Sequence, residues 1–312
     1  MVYQPSIKHP EELHAAITQY GLGRSLVKRR SYLGGIANEN YWLDIDGEEF
    51  VLKIIRDQPS AQKITTEVIY QNLLRANDIP VAVYETTISH KAYCLVNGNL
   101  GVLTRKVNGS SPNRINSHLL VDVAQILAQI HLINPDGLPR RNSWFNTNTI
   151  HNQLELIRQY APPKDVAIFE SLYHEFDEAQ FAQLPQSIVH ADLFPDNLVV
   201  DEQKLIAVID WERVDVQASL FDLAMTIFGF CLSPYPFSRT DYAKFIEHYS
   251  ELRPLSQPEQ ALLPQAYFAA VFTLAAWRFL QFNYYHPISH LSGHFRSALK
   301  FLDRDDIINH FT

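Results

Sequence analysis

The stretch Ser187-Ile-Val-His-Ala-Asp-Leu-Phe-Pro-Asp-Asn-Leu-Val-Val200 sets His190, Asp192 and Asn197 in an H-x-D-x-x-x-x-N pattern. Short β-type runs bound it, Ile188-Val189 before and Leu198-Val199-Val200 after, so the polar residues fall on a loop between strands. Thirteen residues past Asn197, the apolar run Leu205-Ile-Ala-Val-Ile209 ends in Asp210-Trp211. A loop bearing an acid and an amide, next to a strand that exits on a second acid, suits phosphoryl transfer. One carboxylate orients or accepts the proton of a substrate hydroxyl, while the amide and the other carboxylate hold Mg2+ against phosphates.

Working toward the N-terminus, such chemistry needs a lysine on a strand and an acid on the following helix to fix its ammonium on phosphates. Val51-Leu-Lys-Ile-Ile55 is an apolar strand pattern with one charge, Lys53, and Glu67 falls on the next helix. Taken singly, Lys53 reads equally as an outward strand lysine and Glu67 as a solvated helix residue; their order ahead of the Asp/Asn loop favours the phosphate-positioning pair. Asn40-Tyr-Trp-Leu-Asp-Ile45 and Phe50–Ile55 flank Asp46-Gly47, a strong hairpin turn signal. A helix is predicted from about Ala61 to Asn77, stopped by Asn77-Asp-Ile-Pro80, and short strands around Ala92–Leu95 and Val102–Thr104. Gly34-Gly35-Ile-Ala-Asn-Glu-Asn40 precedes the second strand, where backbone N–H groups would cap phosphates; the plain alternative is an ordinary hairpin turn.

Past Asn108 the pattern becomes helical, with expected helices at Leu119–Leu132, Leu154–Tyr160, Ala167–Phe181 and from Leu220 onward, interrupted by a β-rich island at Ser187–Asp210. The 312 residues are enough for two lobes. The fold class is therefore α+β: a small β-rich N-terminal lobe with one key helix, and a larger, mostly helical C-terminal lobe. The expected domains are a nucleotide-binding lobe over 1–104, a hinge over 105–108 and a catalytic and acceptor-binding lobe over 109–312, with the ligand in a cleft between them. At the hinge, Thr104 and Lys106 would offer backbone groups to the adenine, their side chains being hard to distinguish from solvated ones.

Lys and Arg number 26 against 34 Asp and Glu, a formal charge of −8, which argues against coating nucleic acid. Two cysteines, Cys94 and Cys231, make no thiolate zinc cluster and no disulfide framework. The start shows no secretory apolar region, and the apolar run Ala266–Trp277 ends at Arg278, short of a membrane span. The expectation is a cytoplasmic protein with a small-molecule acceptor and neither a nucleic-acid nor a membrane partner.

His190-Ala-Asp192 with Asn197, then Ile209-Asp-Trp211, then Phe221-Asp-Leu-Ala224, resemble the aminoglycoside phosphotransferase/choline kinase superfamily, whose fold is that of protein kinases. The order of elements is similar over essentially the whole chain. Within the superfamily the chain is most similar to bacterial homoserine kinases, on Met1-Val-Tyr3 with Glu11-Glu-Leu13 and Tyr20-Gly-Leu-Gly23, on Gly35-Ile-Ala-Asn-Glu-Asn-Tyr41, and on His190–Asn197. The resemblance implies Asp192 as catalytic base, Asn197 and Asp210 as magnesium ligands, Lys53 with Glu67 as phosphate-positioning pair, and ATP as donor. It makes Asp222 a structural acid tying the catalytic loop to the helix beneath, and His190 a loop-bracing side chain. Glu212 reads equally as a metal-reaching or a surface acid.

The gap from Asp210 to Asp222 is too short for a peptide-docking platform, so a small acceptor is favoured. Homoserine needs a cation for its carboxylate, and Arg278 serves unless it pairs with an internal acid. Choline would want an aromatic cage, for which Trp277, Tyr284 and Tyr285 are available unless they are core rings. An aminoglycoside would want carboxylates such as Asp303, Asp305 and Asp306, which read otherwise as a surface charge run. After Asp210, the charged stretch Trp211-Glu-Arg-Val-Asp215 stands where homoserine kinases are aromatic-rich. Beside these acceptors stands a reading of another class, a catalytically inactive nucleotide-binding scaffold.

Overall fold

In the computed structural model, which describes residues 7–23, 27–34, 38–56, 59–141, 147–175, 178–231 and 238–301, the chain divides into two compact units. The first is residues 1–109 together with 206–212, and the second is 110–205 with 213–312.

The first unit runs α1 (Pro10–Thr18), β1 (Val27–Gly34), β2 (Glu39–Ile45), β3 (Glu48–Ile54), α2 (Ala61–Ala76), β4 (Cys94–Val96) and β5 (Asn99–Arg105). Its five strands form an antiparallel sheet in the order β1-β2-β3-β5-β4. Asp46 and Gly47 both take positive φ, 53° and 89°, which gives the β2–β3 connection the twist a two-residue hairpin needs. Alternation then buries Tyr41, Leu43 and Ile45 of β2 with Phe50, Leu52 and Ile54 of β3, and these join Leu13 and Ile17 of α1 in one apolar cluster. Because side chains alternate, Val51 and Lys53 fall on the other face of β3. Helix α2 begins at Ser60, whose hydroxyl accepts from the Lys63 N–H, and ends before Asp78 at positive φ and Pro80. Residues 206–212 join this unit through a parallel bridge of Val208 to Val81, with the Val208 N–H donating to the Pro80 carbonyl at 2.7 Å.

The second unit holds α3 (Ser117–Leu132), α4 (Thr147–Tyr160), α5 (Pro163–His174), α6 (Glu178–Ala182), β6 (Gln186–Val189), β7 (Leu198–Asp201), the start of β8 (Lys204–Val208), β9 (Asp215–Ala218), α7 (Ser219–Cys231), α8 (Arg239–Leu252), α9 (Gln257–Leu280) and α10 (Arg296–Leu299). β6 pairs antiparallel with β9, and β7 with β8 across a turn at Glu202 and Gln203, both at positive φ. The apolar α9 packs against α4, α5, α7 and α10, while α3 packs against α8. Among the described residues no helix is long and apolar enough to cross a membrane.

Two expectations need correction. The single helix expected over Ala167–Phe181 is α5 and α6, because Pro163 opens a helix four residues earlier and α5 ends at His174. Helix α1 was not expected; it starts at Pro10, and the Glu12 carboxylate accepts the N–H groups of Lys8 and His9 at 2.7 and 3.1 Å. Those two bonds hold the Glu12 carboxyl below the usual range. The similar segment Met1–Tyr3 and Gly35 of the glycine-bearing stretch lie outside the described residues, as do Asp303, Asp305 and Asp306.

Candidate active site

In the first unit the site is built on Lys53, which faces Asn40 and Val102 in the sheet register. Its ammonium donates to Asp210 Oδ1 at 2.9 Å and Glu212 Oε1 at 2.7 Å. Burial disfavours that charge, but the two carboxylates outweigh it and hold Lys53 protonated well above the ordinary lysine range. Asp210 sits at φ 64°, a left-handed conformation uncommon for a side chain with a Cβ and of the kind that clusters at functional sites. The turn that follows is anchored by Trp211, 1% exposed, whose indole N–H donates to the Val208 carbonyl at 3.0 Å. Asn38 completes the group, donating to Glu212 Oε1 at 2.7 Å and accepting the Arg56 N–H at 2.9 Å.

The expected Lys53–Glu67 pair is not the one formed. Glu67 is buried and accepts the Tyr84 hydroxyl at 2.8 Å, while Lys53 is taken by the two acids after β8. Burial and the Glu67 charge push the Tyr84 phenol well up, which keeps it protonated and able to donate. Nothing in the irregular stretch after Pro80 marks Tyr84 as Glu67's partner. Glu212 lies on Lys53. Gly34 ends β1 opposite Asn40. At the expected hinge, Thr104 Oγ1 lies 3.4 Å from the Val51 carbonyl. The Lys106 N–H donates to the Glu49 carbonyl at 2.9 Å, and its ammonium lies 3.4 Å from Glu49 and 4.9 Å from the centre of the Trp42 ring.

In the second unit the site is the loop between β6 and β7. His190 is fully buried, and Ala191 sits at φ 61°. That turn aims the N–H groups of His190 and Ala191 at the two oxygens of Asp222, at 2.8 and 2.7 Å. Asp222, fully buried in the first turn of α7, also meets His131 Nε2 at 3.1 Å, and His131 Nδ1 lies 2.7 Å from the Tyr249 hydroxyl. A carboxylate only accepts, so Nε2 carries the proton and Nδ1 accepts from tyrosine. Burial lowers the His131 pKa and keeps the ring neutral, while burial raises Tyr249 and keeps it a donor. His131 and Tyr249 carry no sequence signal toward Asp222, since they come from α3 and α8.

Beyond this anchor the loop tightens on itself. The Phe194 N–H donates to the Asp192 carbonyl at 2.8 Å, and Asn197 Nδ2 donates to the same oxygen at 2.8 Å. That bond commits the nitrogen end of the Asn197 amide and makes its Oδ1 the atom suited to a cation. Phe194 packs on α7 at Gly229, where a Cβ would collide with its ring. The Asp192 side chain is 28% exposed, and its Oδ2 lies 3.4 Å from Arg213 Nε. The Arg213 guanidinium lies over the Trp277 ring, 5.3 Å from the ring centre. Arg278, half-buried, donates to the Ser297 hydroxyl at 2.9 Å, and among the described residues no carboxylate lies within ion-pair distance of it. Burial lowers its pKa, against the charges of Asp192 and Asp196.

The oxygen donors suit a hard divalent cation. Magnesium takes one or two protein carboxylates with phosphates and water completing its shell, so the Asp210 carboxylate of the first unit and, separately, the Asn197 amide oxygen of the second are each donors of a kind that suits it. Among the described residues no cluster of three or more His, Cys, Asp or Glu makes a dedicated metal cage.

The model of a phosphotransferase enzyme family matches residues 28–255. A homoserine kinase of Granulibacter bethesdensis is 24% identical over 258 residues, covering 81% of this chain and 81% of its own. Among solved structures, a microcompartment-associated aminopropanol kinase superposes with a TM-score of 0.70 at 18% identity, over 92% of this chain and 93% of its own. A spectinomycin phosphotransferase solved with ADP and spectinomycin gives 0.69 at 13% identity, over 99% and 98%. The α+β fold is that of these small-molecule kinases.

Proposed function

The chain belongs to the phosphotransferase enzyme family and uses an alcohol acceptor; on that premise we propose that it transfers the γ-phosphoryl group of ATP to the hydroxyl of a small amine-bearing alcohol, homoserine first. The bond from the γ-phosphorus to the bridging oxygen of ADP breaks, a phosphorus–oxygen bond forms on the acceptor, and the hydroxyl proton passes to the Asp192 carboxylate. Lys53 neutralises phosphate oxygens with an ammonium its two acids keep charged. Asp210 and Asn197 would be the residues to hold Mg2+, which when bound would supply charge neutralisation of the phosphate oxygens. Asp222 positions the loop through the His190 and Ala191 N–H groups. Catalysis is then chiefly positioning and charge neutralisation.

The observation that carries the choice of homoserine is Arg278: a half-buried guanidinium, within reach of the Asp192 charge, whose polar contact is a serine hydroxyl. A buried cation of that kind calls for an anion, and homoserine brings a carboxylate. Arg213 occupies one face of Trp277, which takes that face from a cage for choline. The test is ATP consumption by the purified chain with homoserine, choline, ethanolamine, 3-aminopropan-1-ol and aminoglycosides, and with Asp192→Asn as control. Homoserine-dependent consumption that Asp192→Asn abolishes, with nucleotide binding kept, supports the reading; consumption with a different acceptor, or a turning-over Asp192→Asn, refutes it. An inactive scaffold would bind nucleotide and turn over none of these.

A further inference from the structure

The first turn of α7 holds more than Asp222. Ser219 opens the helix, and both its N–H and its hydroxyl donate to the Pro185 carbonyl, at 3.1 and 3.2 Å. Pro185 immediately precedes β6, so this contact fixes the strand where it begins. Asp222, one turn later, fixes the same strand where it ends, through the N–H groups of His190 and Ala191. β6 is four residues long, and Asp192 follows it directly after those two residues. Held at one end only, so short a strand would be free to pivot; held at both, it sets where Asp192 stands.

The two holds meet in one side chain. Arg253 caps the C-terminus of α8 and is buried, and its Nη2 donates to Ser219 Oγ at 2.5 Å and to Glu259 Oε1 at 2.7 Å. Its backbone N–H donates to the Tyr249 carbonyl at 3.0 Å, and its guanidinium lies over the Tyr249 ring, 5.7 Å from the ring centre. Tyr249 continues to His131 Nδ1, and His131 Nε2 to Asp222. One arm therefore runs from Arg253 through Ser219 to Pro185, the other through Tyr249 and His131 to Asp222. Glu259 anchors the guanidinium. Burial opposes its charge, but the N–H and hydroxyl of Ser256 together with Arg253 outweigh it and hold the carboxyl below the usual range. A buried ion pair gains little net stability, because removing both charges from water offsets their attraction. What this one supplies is direction: the two N–H groups of one nitrogen lie at a fixed angle, so the bond to Glu259 sets the bond to Ser219.

We propose that Arg253 is a positioning residue for phosphoryl transfer: through Ser219 and through Tyr249 it clamps both ends of β6 and so keeps Asp192 in place against the acceptor hydroxyl. This rests on the phosphotransferase reading and adds to it a determinant that acts only through other residues. A displacement of about 1 Å at Asp192 costs roughly a hundredfold in turnover, so a clamp on the strand before it is felt in kcat.

The test cuts the arms one at a time in the full-length chain. Arg253→Gln severs both but strands the Glu259 charge in the interior, a change that by itself can unfold the protein. Tyr249→Phe and Ser219→Ala leave the Arg253–Glu259 pair intact. Each is expected to lower kcat about tenfold, the size of one buried hydrogen bond, and the two together about a hundredfold. The stoichiometry of nucleotide binding should stay at the wild-type value. Hydrogen–deuterium exchange of the peptide over 186–192 should quicken in the same order, while α5, which makes none of these bonds, keeps its wild-type rate. Wild-type kcat and wild-type exchange over 186–192 in the double variant overturn the proposal. So does a fall in kcat matched by lost binding stoichiometry, or exchange that quickens equally in α5, since either assigns the network to folding alone. Absence of turnover in the wild type with every acceptor refutes the underlying phosphotransferase reading instead; exchange needs no substrate, and it sustains or overturns the clamp by the same criterion.

Discussion

Replacing Asp222 by asparagine tests how the loop bearing Asp192 is held. In the native protein the two carboxylate oxygens take the N–H groups of His190 and Ala191 at 2.8 and 2.7 Å, with His131 Nε2 at 3.1 Å, all away from water. Bonds to a buried charge are worth about 1.5–3 kcal/mol each, and an unsatisfied buried donor costs about 1–3 kcal/mol. Asparagine keeps one oxygen, so one N–H retains its partner, but its NH2 group faces the other N–H, donor against donor. The charge that attracted His131 also disappears. A loss of about 2–4 kcal/mol follows, a large part of the ~5–15 kcal/mol that stabilises a typical domain. Urea unfolding followed by circular dichroism should show a lower midpoint at an unchanged slope. The Ala191 turn, strained at φ 61°, would relax, and a shift of about 1 Å at Asp192 costs roughly a hundredfold in turnover. Wild-type stability to within about 0.5 kcal/mol, together with wild-type turnover, would refute the anchoring argument.

Three further outcomes follow from other parts of the structure. Asp210→Asn should weaken Mg2+-dependent nucleotide binding about tenfold or more through the lost charged contact, read by titration with and without Mg2+; an unchanged Mg2+ dependence contradicts the ligand assignment. Gly229→Ala should push the Phe194 ring off α7, with a cost of about 1–3 kcal/mol in urea midpoint and a drop in turnover, and a crystal structure with Phe194 unmoved would disprove the packing argument. For His131, whose folded pKa lies below 6.5, the unfolded chain binds a proton that the native state resists, so its contribution is present above pH 6.5 and lost as pH falls. Stability should therefore decline below pH 6.5, and His131→Gln should flatten that decline by up to about 1.4 kcal/mol per pH unit; an unaltered slope points to other groups.

The elements that local chemistry determines were legible. Asp46-Gly47 marks its hairpin because only a few residue types tolerate two successive positive φ values, and Asn77 to Pro80 stop α2 by the same local logic. The strand–loop–strand around Asp192 was visible because two apolar runs bracket a polar stretch. What escaped depends on partners far apart in the chain. Lys53 met Asp210 and Glu212 rather than Glu67, a choice among acids that a linear pattern does not rank. Tyr84 beside Glu67, Tyr249 behind His131 and Trp277 beneath Arg213 are each supplied by a distant segment with no periodic signature. Helix α1 escaped because it is nine residues long and marked only by Pro10 and Glu12.

The return of residues 206–212 to the first unit has a consequence for inheritance. A fragment ending at Gly109 would lack both acids that Lys53 binds and the N–H that the Pro80 carbonyl accepts. Nor would a chimera joined at that point exchange whole modules, because the incoming tail would bring its own strand into the resident sheet-bearing body. Breeding new acceptor preferences from this scaffold by swapping tails therefore requires grafting the seven-residue insert back with its native host.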